Sequence, residues 1–166
     1  MKQIIGYILL MKVLFVCTAN ICRSVMAAGI FNKQLSHYDG PHSIHVKSAG
    51  VDALEDLTPD RKTKEVCNAQ GIHIGSHKSR QLTKDMLDKA DIVLCMEKFH
   101  KQRIISAFPN FVKNVFLLKE YLRESSIDHA SIKDPIGKSK KQYEKCFKEI
   151  EKEVQRILPI IIKSTS

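Results

Sequence analysis

A short apolar run, a polar loop and an amphipathic stripe follow one another before residue 36, and this unit limits the folds open to the chain. Lys12 to Cys17 is almost continuously apolar, β-branched or aromatic, the pattern of a strand buried on both faces and so of a parallel sheet. From Ser24 the spacing changes to Met26, Ala27, Ile30, Phe31 and Leu35, a helical stripe with Ser24 placed as its N-cap. Ile44 to Val46 reads as a second strand, closed by Ser48, Ala49 and Gly50. Thr58, Pro59 and Asp60 supply a capping hydroxyl, a first-turn proline and a first-turn acid for a helix that Gly71 stops. Asp91 to Met96 is a third strand, Lys98 to Phe108 a helix ended by Pro109, and Val115 to Leu118 a fourth strand. Ser139 and Gln142 form a capping box ahead of Tyr143, Phe147, Ile150, Val154, Ile157 and Ile161. The alternation predicts a doubly wound α/β domain, a mainly parallel four-stranded sheet with helices on both faces. The longest span without a periodic signal, Glu124 to Lys138, is a candidate functional loop.

A chain of 166 residues has room for one such core. Residues 1–10 read as an N-terminal extension and 11–166 as the domain. Ile4 to Met11 is apolar, but Lys12 interrupts it and no small-residue cleavage site precedes Cys17, so neither a signal peptide nor a membrane span is expected. Five scattered cysteines point to reduced thiols and a cytoplasmic protein. The 27 lysines and arginines against 18 acids, a net +9, favour an anionic partner. No zinc-finger spacing, RNA-binding aromatic signature or helix-turn-helix pattern goes with that charge, so nucleic acid is not the expected partner. Lys138, Lys140, Lys141, Lys145 and Lys148 then read as a solvated helix face. Neither His42 with His45 nor His73 with His77 lies on an evident helix, so no metal site is expected.

The chemistry concentrates where the first strand meets the first helix: Cys17, Thr18, Ala19, Asn20, Ile21, Cys22, Arg23, Ser24. Ligands of parallel sheets bind beyond the carboxyl ends of strands, and a helix start there offers unpaired N–H groups and a positive dipole end. The five residues between Cys17 and Arg23 can curl so that their amides converge on a tetrahedral oxyanion, while the Arg23 guanidinium grips two of its oxygens. The same field favours a Cys17 thiolate, a nucleophile aimed at phosphorus. Ser24 can donate a hydrogen bond to the sulfur.

This segment, VCTANICRS, resembles the phosphate-binding loop of the low-molecular-weight protein tyrosine phosphatases. The resemblance continues through Ser48-Ala49-Gly50, His77 to Leu82, Asp91 to Met96 and Asp134-Pro135, in family order from Met11 on. It implies a protein phosphatase with Cys17 as nucleophile, Arg23 as phosphate clamp and Asp134 as general acid, without metal or cofactor. Asn20 and Ser48 would support the loop. The resemblance also implies a phosphorylated protein as the substrate, with inorganic phosphate or a similar oxyanion seated in the loop. An acid such as Asp134 is also demanded by chemistry, because a tyrosyl leaving group with pKa about 10 departs poorly as phenolate at neutral pH.

Three departures matter. Ala19 stands where the family usually has glycine, so backbone strain is expected there. Val25 replaces a proline. Ile136-Gly137 follows Asp134-Pro135 where eukaryotic members have tyrosines. The related arginine phosphatases are similar after their Asp-Pro pair but carry threonine at the position of Ile21, which favours phosphotyrosine here and keeps phosphoarginine as the alternative. A thioredoxin-linked arsenate reductase would need a further cysteine pair near Cys95, and residue 102 is glutamine. Cys67, Cys95 and Cys146 then read as core or surface residues, whereas Cys22 is a candidate redox partner of Cys17.

Overall fold

A computed structural model describes residues 10–39 and 43–165. Residues 1–9 of the expected extension, and His42, lie outside the described residues. Four strands form one sheet: β1 (Met11–Cys17), β2 (Ile44–Gly50), β3 (Ile92–Cys95) and β4 (Val115–Leu117), in the order β2-β1-β3-β4. Every pairing is parallel.

The period-two geometry of β1 divides the core. Val13, Phe15 and Cys17 face one layer, built with α1 (Arg23–Leu35), α2 (Arg61–Ala69) and α5 (Lys140–Thr165). Leu14 and Val16 face the other, closed by Leu87 of α3 (Lys84–Lys89) and Ile104 of α4 (Lys98–Ala107). Helices therefore lie on both faces, as the alternation predicted, and the carboxyl ends of β1 and β3 are left at one edge. Among the described residues no helix is long and apolar enough to cross a membrane.

Two helix starts differ from expectation. Ser24 is not a cap: α1 begins at Arg23 with Cys22 in the cap position and no side-chain cap bond, because the Ser24 hydroxyl is engaged by the loop. Asp60, not Thr58, caps α2, accepting from the N–H groups of Lys62 at 3.0 Å and Thr63 at 3.4 Å. The Asp60 N–H donates to the Ile21 carbonyl and holds this residue extended, so the helix cannot begin before it. The sequence also hid α3, whose Thr83 cap accepts from the Met86 N–H, and the 3-10 segment Pro109–Asn114. Residues 118–139, between β4 and α5, contain no helix or strand.

Candidate active site

The loop after β1 is held from outside by its carbonyls. Those of Cys17 and Thr18 accept from the N–H groups of Val51 and Asp52, that of Ile21 from Asp60, and that of Cys22 from Met26. His77 Nε2 is 2.9 Å from the Asn20 carbonyl and donates its hydrogen there. With these carbonyls turned outward, no protein acceptor among the described residues takes the N–H groups of Thr18 to Cys22. Gly50, paired with Cys17, makes the arrangement possible: a Cβ on it would lie 2.4 Å from the Thr18 carbonyl oxygen.

The residue in the left-handed region is Asn20, with φ 55°, not Ala19. Strain expected from the missing glycine is therefore not found at Ala19, and asparagine is among the side chains that tolerate this conformation best. Its carboxamide repays the cost locally. Asn20 Nδ2 donates to Ser24 Oγ at 2.8 Å and Ser48 Oγ at 3.0 Å, and Oδ1 accepts from the Arg80 N–H at 3.1 Å. Asn20 and Ser24 are fully buried and Ser48 nearly so. With Asn20 donating to its oxygen, Ser24 keeps its own hydrogen for Cys17 Sγ, 3.0 Å away.

Arg23 is 1% exposed. Its Nη1 donates to the Glu97 carboxylate and, at 2.8 Å, to the Ile132 carbonyl. Its Nη2 donates to Asp134 Oδ2 at 2.6 Å and lies 3.4 Å from Thr18 Oγ1. Burial opposes the charge, but Cys17, Glu97 and Asp134 outweigh it and hold the guanidinium pKa above its ordinary value. Both Nη1 hydrogens are held by Glu97 and Ile132, while Nη2 is shared between Asp134 and Thr18, so the edge formed by Nε and Nη2 can serve as the fork for an oxyanion once Asp134 releases Nη2. Asp134 reaches this point from the long loop: its Oδ1 accepts from the Ile136 N–H, and the Ile132 N–H is fixed to the Met96 carbonyl at the end of β3.

Glu97 and His100, absent from the sequence reading, are part of the same cluster. The Glu97 N–H donates to His100 Nδ1 at 3.0 Å, so the neutral ring carries its hydrogen on Nε2 and donates to Thr18 Oγ1 at 2.9 Å. Burial, reinforced by Arg23, lowers the His100 pKa to about 3, which keeps it neutral. The position of Glu97 and His100 just beyond β3 was the signal available, since that end of a parallel strand is where sites form. Burial raises the Cys22 thiol, and it pushes Cys67, Cys95 and Cys146 up to about 12. Cys67, Cys95 and Cys146 are therefore buried thiols rather than nucleophiles. His77 is part of the loop's support, its Nε2 committed to Asn20.

The geometry can hold a tetrahedral oxyanion against a sulfur, with a carboxyl group at the rim. A family model, low molecular weight phosphotyrosine protein phosphatase, matches residues 12–165. A protein-arginine-phosphatase of Geobacillus stearothermophilus is 37% identical over 88% of this chain and 93% of its own. A probable low molecular weight protein-tyrosine-phosphatase, EpsP of Ralstonia nicotianae, is 33% identical over 90% and 94%. Among solved structures, the YwlE arginine phosphatase of Geobacillus stearothermophilus superposes with a TM-score of 0.82 at 35% identity, over 93% of this chain and 94% of that one. A cysteine-to-serine mutant of a YwlE arginine phosphatase, with its active-site serine phosphorylated, has a TM-score of 0.81 at 32% identity, over 91% and 95%. Sequence and fold thus agree over nearly all of the domain: the chain belongs to the low molecular weight phosphotyrosine protein phosphatase family of cysteine-dependent hydrolases.

Proposed function

We propose that this chain is a cytoplasmic protein tyrosine phosphatase whose domain spans residues 11–166, after an extension at 1–10, and which turns over through a phosphocysteine at Cys17. The observation that carries this reading is a loop around a sulfur with five of its carbonyls, those of Cys17, Thr18, Asn20, Ile21 and Cys22, tied to groups outside the cup. Its inward amides would bind three phosphoryl oxygens and Arg23 would clamp two of them through its Nε and Nη2 edge.

Cys17 Sγ forms the S–P bond as the P–O bond to the substrate breaks. Asp134 gives its proton to the departing oxygen, and Ile136, 43% exposed beside it, offers apolar surface to an aromatic leaving group. Ser24 steadies the sulfur before attack and during departure. The Asp134 carboxylate then takes a proton from water, whose oxygen displaces Cys17 from phosphorus and releases inorganic phosphate. Thr18, Ala19, Ile21 and Cys22 contribute backbone amides. Asn20 and Ser48 hold the loop. Cys22, in the same loop, is a candidate to form a reversible disulfide with Cys17. Peroxide should then remove activity that dithiothreitol restores, and irreversible loss would rule the switch out.

The substrate is tested by offering phosphotyrosine, phosphoarginine and phosphoserine peptides side by side while trapping the phosphoenzyme. Phosphotyrosine should be hydrolysed at least about tenfold faster than the others. The names of the arginine phosphatase relatives favour a second reading, in which phosphoarginine leads. Ile21, half-buried in the loop, weighs against it, because it has no hydroxyl with which to orient a guanidinium group or a water.

A further inference from the structure

A cavity of about 310 Å³ opens between the long loop and the first half of α5, and it shares Asp134 with the active site. Besides Lys119, three lysines line it: Lys133 on the loop, Lys138 at the turn before α5, and Lys145 on the helix. All three are exposed and have no anionic partner among the described residues. The cavity contains two acids, both already matched. Asp134 is bound by Arg23 at 2.6 Å, and Glu149 by Lys119 at 2.6 Å. His129, also in the lining, carries no acid of its own either. The cavity therefore has uncompensated positive charge, concentrated one side chain away from the phosphate clamp. A merely solvated helix face does not account for it, because Lys133 comes from a different element and converges with Lys138 and Lys145 on the same concave wall.

We propose that this cavity is a substrate subsite for acidic side chains, Asp or Glu, that flank the phosphorylated residue of a protein substrate. The inference rests on the phosphatase reading, and it adds what that reading lacks: a sequence preference. A peptide advances about 3.3 Å per residue when extended, so residues one to three positions from the phosphorylated one reach a cavity that begins at Asp134. Complementary charge at this distance acts on encounter and on weak binding of the flank, and it is screened by salt.

The test compares two phosphotyrosine peptides that differ only in carrying Asp and Glu, or Asn and Gln, around the modified residue. p-Nitrophenyl phosphate, which has no flank, reports the oxyanion cup alone. At low ionic strength the ratio of kcat/KM, acidic over neutral, should be about tenfold for the natural protein, should collapse in 0.5 M salt, and should fall below one when Lys133→Glu, Lys138→Glu and Lys145→Glu are combined. A ratio near one for the natural protein, or a preference that survives the triple reversal, overturns the proposal. Fluorescence anisotropy of the same peptides on Cys17→Ser protein reads the preference without turnover. An enzyme that hydrolyses neither peptide nor p-nitrophenyl phosphate but still binds the acidic peptide about tenfold more tightly breaks the phosphatase reading and leaves the subsite standing. Equal anisotropy for both peptides overturns the subsite whatever the enzyme hydrolyses.

Discussion

The loop at 17–23 and the loop at 118–139 meet at Arg23 but are built on opposite principles. In the first, five carbonyls are tied to surrounding elements and Asn20, Arg23 and Ser24 are at most 1% exposed. In the second, the Asp134 side chain is 40% exposed and is anchored mainly through Ile132 and Arg23. The difference follows from what each must do. A cup for an oxyanion works by being preorganised, since its dipoles must not reorganise as charge builds. A carboxyl group that protonates a leaving oxygen and then activates water must instead meet solvent and a varied substrate. Under the proposed mechanism, nucleophilic chemistry would sit in a buried loop with its polar groups tied down, and proton transfer in an accessible one.

The largest effects should come from the cup. Cys17→Ala is expected to lower kcat about 10⁴-fold or more, and Arg23→Lys, which keeps the charge and loses the fork, about 10²- to 10³-fold. Both are read with phosphotyrosine peptide; a Cys17→Ala protein with more than a few per cent of the natural rate would remove the comparison's first half. Asp134→Ala should cost about 10²- to 10³-fold on phosphotyrosine and clearly less on p-nitrophenyl phosphate, whose leaving group needs less protonation. Equal losses on both would deny Asp134 its role as acid.

Stability should show the same contrast. Asn20→Ala removes three hydrogen bonds, two of them buried, and leaves alanine at φ 55°, so denaturant unfolding should record a loss of about 3 kcal/mol. Asp134→Ala should stay within about 1 kcal/mol, because its pair with Arg23 is partly solvated. A smaller loss for Asn20→Ala than for Asp134→Ala would invert the assignment of rigidity.

Taken per pH unit, the remaining effect is modest. The folded protein keeps His100 neutral down to about pH 3, whereas an unfolded histidine takes a proton near 6.5. The unfolded state thus binds the extra proton as pH falls, so the stability His100 contributes is whole above about 6.5 and declines toward 3. The slope is on the order of 1 kcal/mol per pH unit. His100→Gln should flatten that part of the pH–stability curve. An unchanged slope would place the proton uptake elsewhere, with His77, whose pKa burial also lowers, the first alternative.

The sequence made the frame readable because local signals and tertiary context agree there. The run Lys12 to Cys17, the stripe from Met26 to Leu35 and the spacing along α5 each have one physical interpretation, and the phosphate loop lies within a single continuous segment. What escaped has a different cause. Ser24 looked like a cap because a hydroxyl before an apolar stripe usually is one, but Cys17 and Asn20 claim it. Six residues of α3 are too few to display a period. Glu97 and His100 act 74 and 82 residues from their partners Arg23 and Thr18, and only the parallel pairing of β1 with β3 brings them together. In isolation Glu-x-x-His reads as the start of a surface helix.

The central claim is that Cys17 takes the phosphoryl group before water does. Rapid-quench mixing of the protein with ³²P-labelled phosphotyrosine peptide, followed by peptide mapping, tests it directly. A burst of label close to one per protein chain, located on Cys17 and absent from Cys17→Ala, is the expected result. Steady release of phosphate with no labelled enzyme, or label on any other residue, would contradict the account.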